Sequence, residues 1–231
     1  MFSLKRIFIL VITAVIISTA AFAQSTVEES YLRESIELMI IRETARSNTR
    51  DQKLIALEYI DENIKRNGAN TSDEVRQTLD FLAREGKGSV TRENNRVVNN
   101  YPDIRRQAAK YLGQMKSAEA QKALYDIIMD ENEPTVIQEA IKSLGEIGRN
   151  ENNETVNRII FVTRSFNRTN PDDLMAIAVI DAFEKIANHN NGIRDPEAIK
   201  LLNEISVNSG FKTVVRERAR QLLAKLRSYG G

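Results

Sequence analysis

One histidine, His189, is the only imidazole in this 231-residue chain, and there is no cysteine. Zinc sites of the Cys/His type, thiolate nucleophiles and Ser-His-Asp relays therefore lack essential parts. His189 stands in Asn188-His189-Asn190-Asn191-Gly192, the composition of a helix exit, and reads as a solvated turn residue. Catalysis would have to come from carboxylates. The adjacent pairs Asp130-Glu131 and Asp172-Asp173 both fall at expected helix ends, where negative charge hydrates or faces the positive end of a helix dipole. The stretch from Asp130 to Pro134 lacks the alternating oxygen ligands and central glycine of a calcium loop. No metal and no cofactor is expected, and a hydrolase working with carboxylates alone stays open as the enzymatic alternative.

Contact chemistry is better represented. Residues 86–102 carry two glycines, several asparagines and a proline without a helical stripe, and connections between packed helices usually take only about 2–8 residues. Within this loop Arg92, Arg96, Val97, Val98 and Tyr101 bring together residue types that supply binding energy in interfaces. Two readings stand side by side. Either the loop folds over one face and forms part of a partner-binding surface, or Val97 and Val98 merely plug a gap between packed units. A second group is Arg158, Phe161 and Arg164. With Val156, Ile159, Ile160 and Thr163 turned inward, Phe161 points roughly 140° away from Val156 on a helical wheel. It belongs either to a basic, aromatic groove or to the core between neighbouring units. Arg216, Arg218 and Arg220, interleaved with Glu217, read as a solvated end.

These groups need a scaffold, and its pattern is plain. Ile104, Ala108, Leu112 and Met115 share offsets with Val136, Ala140, Leu144 and Ile147. Met175, Val179, Phe183 and Ile186 repeat them, as do Val215, Ala219, Leu223 and Leu226. Each set lies on one face of an α-helix. One unit takes roughly 30–40 residues, which leaves room for a second helix between copies. A single helix pair cannot bury its apolar face alone, so the expected architecture is all-α, a solenoid of stacked antiparallel helix pairs. Second helices are expected with Ala120, Leu124, Ile127 and Ile128 inward after a Ser117 cap, and with Val156, Ile159, Ile160 and Thr163 inward; Thr213 is expected to cap the last helix. No strand pattern competes.

Toward the N-terminus, residues 26–46 form a helical pattern with Val27, Leu32, Ile36, Met39 and Ile40 on one side. Leu54, Leu57, Ile60 and Ile64 mark the next helix, stopped at Asn67-Gly68. Val75, Leu79 and Leu82 stripe a third, with Ser72 as N-cap. Gln52 and Asn63 would occupy apolar positions of the repeat, so this first unit is a degenerate or capping pair. Ahead of it, Lys5 and Arg6, the apolar run from Ile7 to Ile17 and Ala21-Phe22-Ala23 have the anatomy of a secretory signal peptide cut before Gln24. Thr13, Ser18 and Thr19 dilute the run below what a retained anchor needs. The expected organisation is thus a signal peptide at 1–23, N-terminal helices at 24–85, a loop at 86–102 and repeats at 103–229.

The stretch from Asp103 to Met115 and its copy from Thr135 to Gly148 resemble HEAT repeats of the short, bacterial, lyase-like type. The resemblance runs from about Asp103 to Leu226. Asp130 and Pro134 sit at the inter-repeat turn as in that family, and the Val-Arg pair at the start of a repeat survives as Ile104-Arg105 and Val215-Arg216. The Leu-Gly pair, present at Leu112-Gly113 and Leu144-Gly145, is replaced by Phe183-Glu184 and Leu223-Ala224. The resemblance implies a curved superhelix whose second helices line the concave side, and binding far more often than catalysis. A di-iron hydroxylase family on this scaffold uses several His-Glu pairs, which one histidine cannot supply. The bilin lyases of the family have no selecting feature here.

A formal charge of +1, reduced to −1 without Lys5 and Arg6, does not fit a nucleic-acid binder. The expectation is a bacterial periplasmic or secreted, non-catalytic scaffold for a protein or peptide partner, meeting a membrane only through the signal peptide before cleavage. An envelope enzyme or accessory subunit using carboxylates, and a structural protein that self-associates through an uncapped terminal repeat, are the alternatives.

Overall fold

In a computed structural model the described residues are 28–88, 90–167 and 171–229. The expected signal peptide, its cleavage site, Val27 and Gly230-Gly231 lie outside them. Helix α1 covers residues 28–46, and α2 (Arg50–Asn67) and α3 (Asp73–Ala83) follow. Two-residue strands β1 (Arg92–Glu93) and β2 (Arg96–Val97) form a hairpin, and then come α4 (Pro102–Met115), α5 (Ala118–Asp130), α6 (Pro134–Ile147), α7 (Glu154–Asn167), α8 (Asp173–Asn190), α9 (Pro196–Val207) and α10 (Thr213–Ser228).

Local chemistry sets most helix ends. The Ser72 and Ser117 hydroxyls accept the N–H groups of Val75 and Ala120, and Asp172 and Asp195 cap α8 and α9 in the same way. Pro102, Pro134 and Pro196 occupy first turns, where the missing N–H has no helical acceptor to lose. Thr213 does not cap α10. Lys212 holds that position, and its N–H is taken by Asp173 of α8 at 3.0 Å.

The helices stack in two layers. In the first, α2 packs on α4, α4 on α6, α6 on α8 and α8 on α10; in the second, α3, α5, α7 and α9 follow one another, and each also touches the first-layer helix after it. Helix α1 stands beside α3 at the open end of the second layer, with Arg42 reaching Glu74. This is a HEAT-type α-solenoid. All sixteen side chains of the four repeated sets are buried, as are the inward residues expected of α5 and α7. Thr163 keeps its buried place by donating to the Ile159 carbonyl one turn back.

The glycines of the Leu-Gly pairs mark where first-layer helices meet most closely. A Cβ at Gly113 would come within 2.6 Å of the Ser143 Cβ, and one at Gly145 within 2.6 Å of the Ala182 Cα. Glu184, at the equivalent place in α8, turns outward and pairs with Lys225 of α10 at 2.9 Å.

Two further expectations are corrected. Helix α1 buries Glu37, Ile41 and Ala45, while Leu32, Ile36 and Met39 stay exposed and Ile40 is only half-buried. Apolar residues occupy both sides of this helix, and the neighbours it has, α2 and α3, select the other face. The loop at 86–102 is also not strandless. Asn94 and Asn95 both adopt positive φ, 49° and 66°, the conformation of a tight hairpin turn whose twist matches that of paired strands.

Candidate partner-binding surface

The hairpin is rooted by ions. Lys53 of α2 and Glu85 after α3, almost fully buried, pair at 2.9 Å, and Lys53 also donates to the Ala45 carbonyl of α1. Glu85 accepts the Asn99 side-chain amide, and the Asn99 side-chain carbonyl oxygen accepts the Thr91 N–H at 2.8 Å. Arg105 of α4 donates to the Glu85 carbonyl, to Asn100 and, at 2.7 Å, to the Glu131 carboxylate. Burial alone would push the Glu131 carboxyl up. The guanidinium and the N–H groups of Asn132 and Glu133 outweigh it and hold that carboxyl below its ordinary range.

This root corrects the gap-filling reading of the valines. Val97 and Val98 are 39% and 36% exposed; the joint between the first units is filled instead by Lys53, Glu85, Asn99, Arg105 and Glu131. Arg92 and Arg96 are exposed on the hairpin, while Tyr101 is half-buried at the start of α4 and packs on the core.

On the second-layer face the other group is divided. Phe161 is 59% exposed, so the core reading of this side chain is overturned. It lines a shallow groove of about 480 Å³ with Met129 of α5 and with Asn152, Glu154, Asn157 and Arg158. The Arg158 guanidinium lies 4.5 Å from the centre of the Tyr125 ring and is bonded to Glu154. Tyr125 is held from beneath, its hydroxyl 2.7 Å from Thr155, which Gln121 also reaches. Burial raises the Tyr125 hydroxyl above its usual value, so the ring stays neutral and the cation over its face keeps a favourable contact. Arg164, in contrast, is spent on Glu197 and Glu204 of α9. No hydrogen bond or ion pair joins the hairpin to the α7 group among the described residues.

Sequence reasoning missed Met129, Tyr125 and the buried ions. Met129 follows Ile127 and Ile128 directly, so it reads as one more core residue until the helix face is known.

The carboxylates are mostly committed. Asp172 caps α8 and accepts from Gln138; Asp173 is bound by Lys212 and lies below its ordinary range. Asp126, Asp130 and Glu131 border a cavity of about 270 Å³ together with Arg84 and Lys87. Asp126 pairs with Arg84 at 2.9 Å, and Lys87 stands 3.4 Å from Glu131. A general acid needs a raised carboxyl, and Glu131 is shifted the opposite way. His189, exposed in the last turn of α8, lies against Gly148, which ends α6.

No curated protein matches the chain. Residues 97–160, from β2 into α7, match the family model described as HEAT repeats.

Proposed function

We propose that this protein is an exported, non-catalytic scaffold that holds a protein or peptide partner in the bacterial cell envelope. HEAT repeats usually serve interaction and scaffolding, and the resemblance of residues 103–148 to the short, lyase-like form of the repeat and the leader-like pattern at 1–23 support the finer reading. One observation carries it: in the middle of the second-layer face, Phe161 and Met129 are left to solvent beside an arginine already seated on a fixed tyrosine. Large apolar and aromatic groups rimmed by charge are how a docking groove differs from ordinary surface. Binding requires no chemistry from the protein, only a surface fixed before the partner arrives, which lowers the entropy lost on association.

A photoreactive residue placed at Phe161 in living cells, with Arg106 on the first-layer face as control, tests the groove. Defined adducts from position 161 and none from 106 are expected; equal, diffuse labelling from both would end the proposal. Fractionation of the same cells tests export, which fails if the full-length chain stays in the cytosol.

A further inference from the structure

Helix α1 carries more apolar surface than the solenoid covers. It runs antiparallel to α2, tied near its C-terminal end by Lys53 to the Ala45 carbonyl and at its middle by Asn63 and Arg66 to Glu37. Among the described residues Glu37 is the first that is buried, and every residue from 28 to 36 is exposed. The leading turns of α1 are therefore unburied, and Glu29, Ser30, Arg33 and Glu34 only border an open cavity with Arg66 and Asn67 at the end of α2. So short a stretch of helix is marginal in water unless something covers it.

The composition of the exposed face says what kind of cover it needs. Leu32, Ile36 and Met39 are 64%, 51% and 50% exposed, with Tyr31 beside them at 70%. On a wheel of 100° per residue, Leu32, Ile36 and Met39 centre roughly 180° from the buried Glu37, Ile41 and Ala45. Charge is distributed unevenly along the same helix. Glu28, Glu29 and Glu34 gather at its start, with Arg33; Arg42 and Arg46 gather at its end, with Glu43. Glu29 and Arg46 are exposed and enter no ion pair among the described residues.

We propose that this face binds a second copy of the chain, α1 against α1, antiparallel about a two-fold axis. In that arrangement Ile36 lies on Met39 of the second copy, and Glu29 faces Arg46 of the second copy, each contact occurring twice. Acidic starts meet basic ends and the helix dipoles oppose, whereas a parallel pairing would bring the acidic starts together. A patch that meets its own copy closes on itself, so the assembly stops at two chains rather than growing into a filament.

The test uses the chain as purified from cells expressing the full sequence. Sedimentation at micromolar concentration should give twice the mass of a single chain, and Ile36→Glu, at an exposed position, should return the single-chain mass with unchanged helical circular dichroism. Glu29→Arg and Arg46→Glu should each weaken association by at least about tenfold, and together restore it. Because the chain has no cysteine, Ile36→Cys mixed with Met39→Cys should crosslink between chains. A wild-type protein at single-chain mass overturns the proposal. In that case an Ile36→Cys thiol shielded from maleimide assigns the cover to residues 1–27, and a thiol that reacts freely leaves the face to another protein.

Discussion

The stack of α4, α6 and α8 and the joint between α2, α3 and α4 do the same job with opposite materials. In the stack, adjacent helices touch through apolar side chains and through Gly113 and Gly145, small enough to let Ser143 and Ala182 approach. At the joint the first unit departs from the repeat, with Lys53 at a buried position of α2, and the seam is closed by Lys53, Glu85, Asn99, Arg105 and Glu131. Apolar seams tolerate small shifts because dispersion and burial are not directional. An ionic seam is held by fixed hydrogen bonds and fails when one partner is lost. The difference teaches why the hairpin sits at the joint: a segment without its own core needs directional anchors to keep one position.

The largest expected effect separates the two seams. Arg105→Ala leaves the buried Glu131 carboxylate only the part-exposed Lys87, 3.4 Å away, and urea unfolding should show a loss of about 3–5 kcal/mol. Leu144→Ala, in the apolar stack, should lose about 2–5 kcal/mol through the cavity it opens; hydrogen exchange should show the hairpin still protected in this variant and unprotected in Arg105→Ala. If both variants release the hairpin equally, the contrast between the seams is wrong.

Acid should discriminate further, with a smaller effect. The folded Glu131 carboxyl lies below its ordinary value of 4.5, so its contribution is complete above that pH and fades as pH falls through the lower folded value. Wild-type stability should decline across that window, and Glu131→Gln should decline less steeply while starting lower. A variant as acid-sensitive as wild type would remove Glu131 from the account. The smallest effect belongs to the exposed groove. Phe161→Ala should change stability by no more than about 0.5 kcal/mol, yet abolish the partner adducts formed from a photoreactive residue at Met129.

Much of the architecture is legible because helical burial has a period. Ile104, Ala108, Leu112 and Met115 mark a face whatever surrounds it, and four returns of that face require stacking. The turn at Asn94-Asn95 is a local signal too, but it lies between Arg92, Glu93, Arg96 and Val97 rather than between alternating apolar runs, so the strands are hidden. Of the candidate contact residues, Phe161 kept its place on the surface, Arg164 is neutralised by α9, and Tyr101 packs into the core. Nothing in residues 158–164 reveals the two glutamates 33 and 40 positions further on.

Residue order alone determined which helices form and which flank of each repeat is apolar, since both depend on neighbours within a few turns. Tertiary structure decided which of two apolar flanks α1 buries, which lysines, arginines and glutamates are enclosed, and which aromatic stays in water. Those outcomes depend on what another helix brings alongside, and a chain read one segment at a time does not contain that distance.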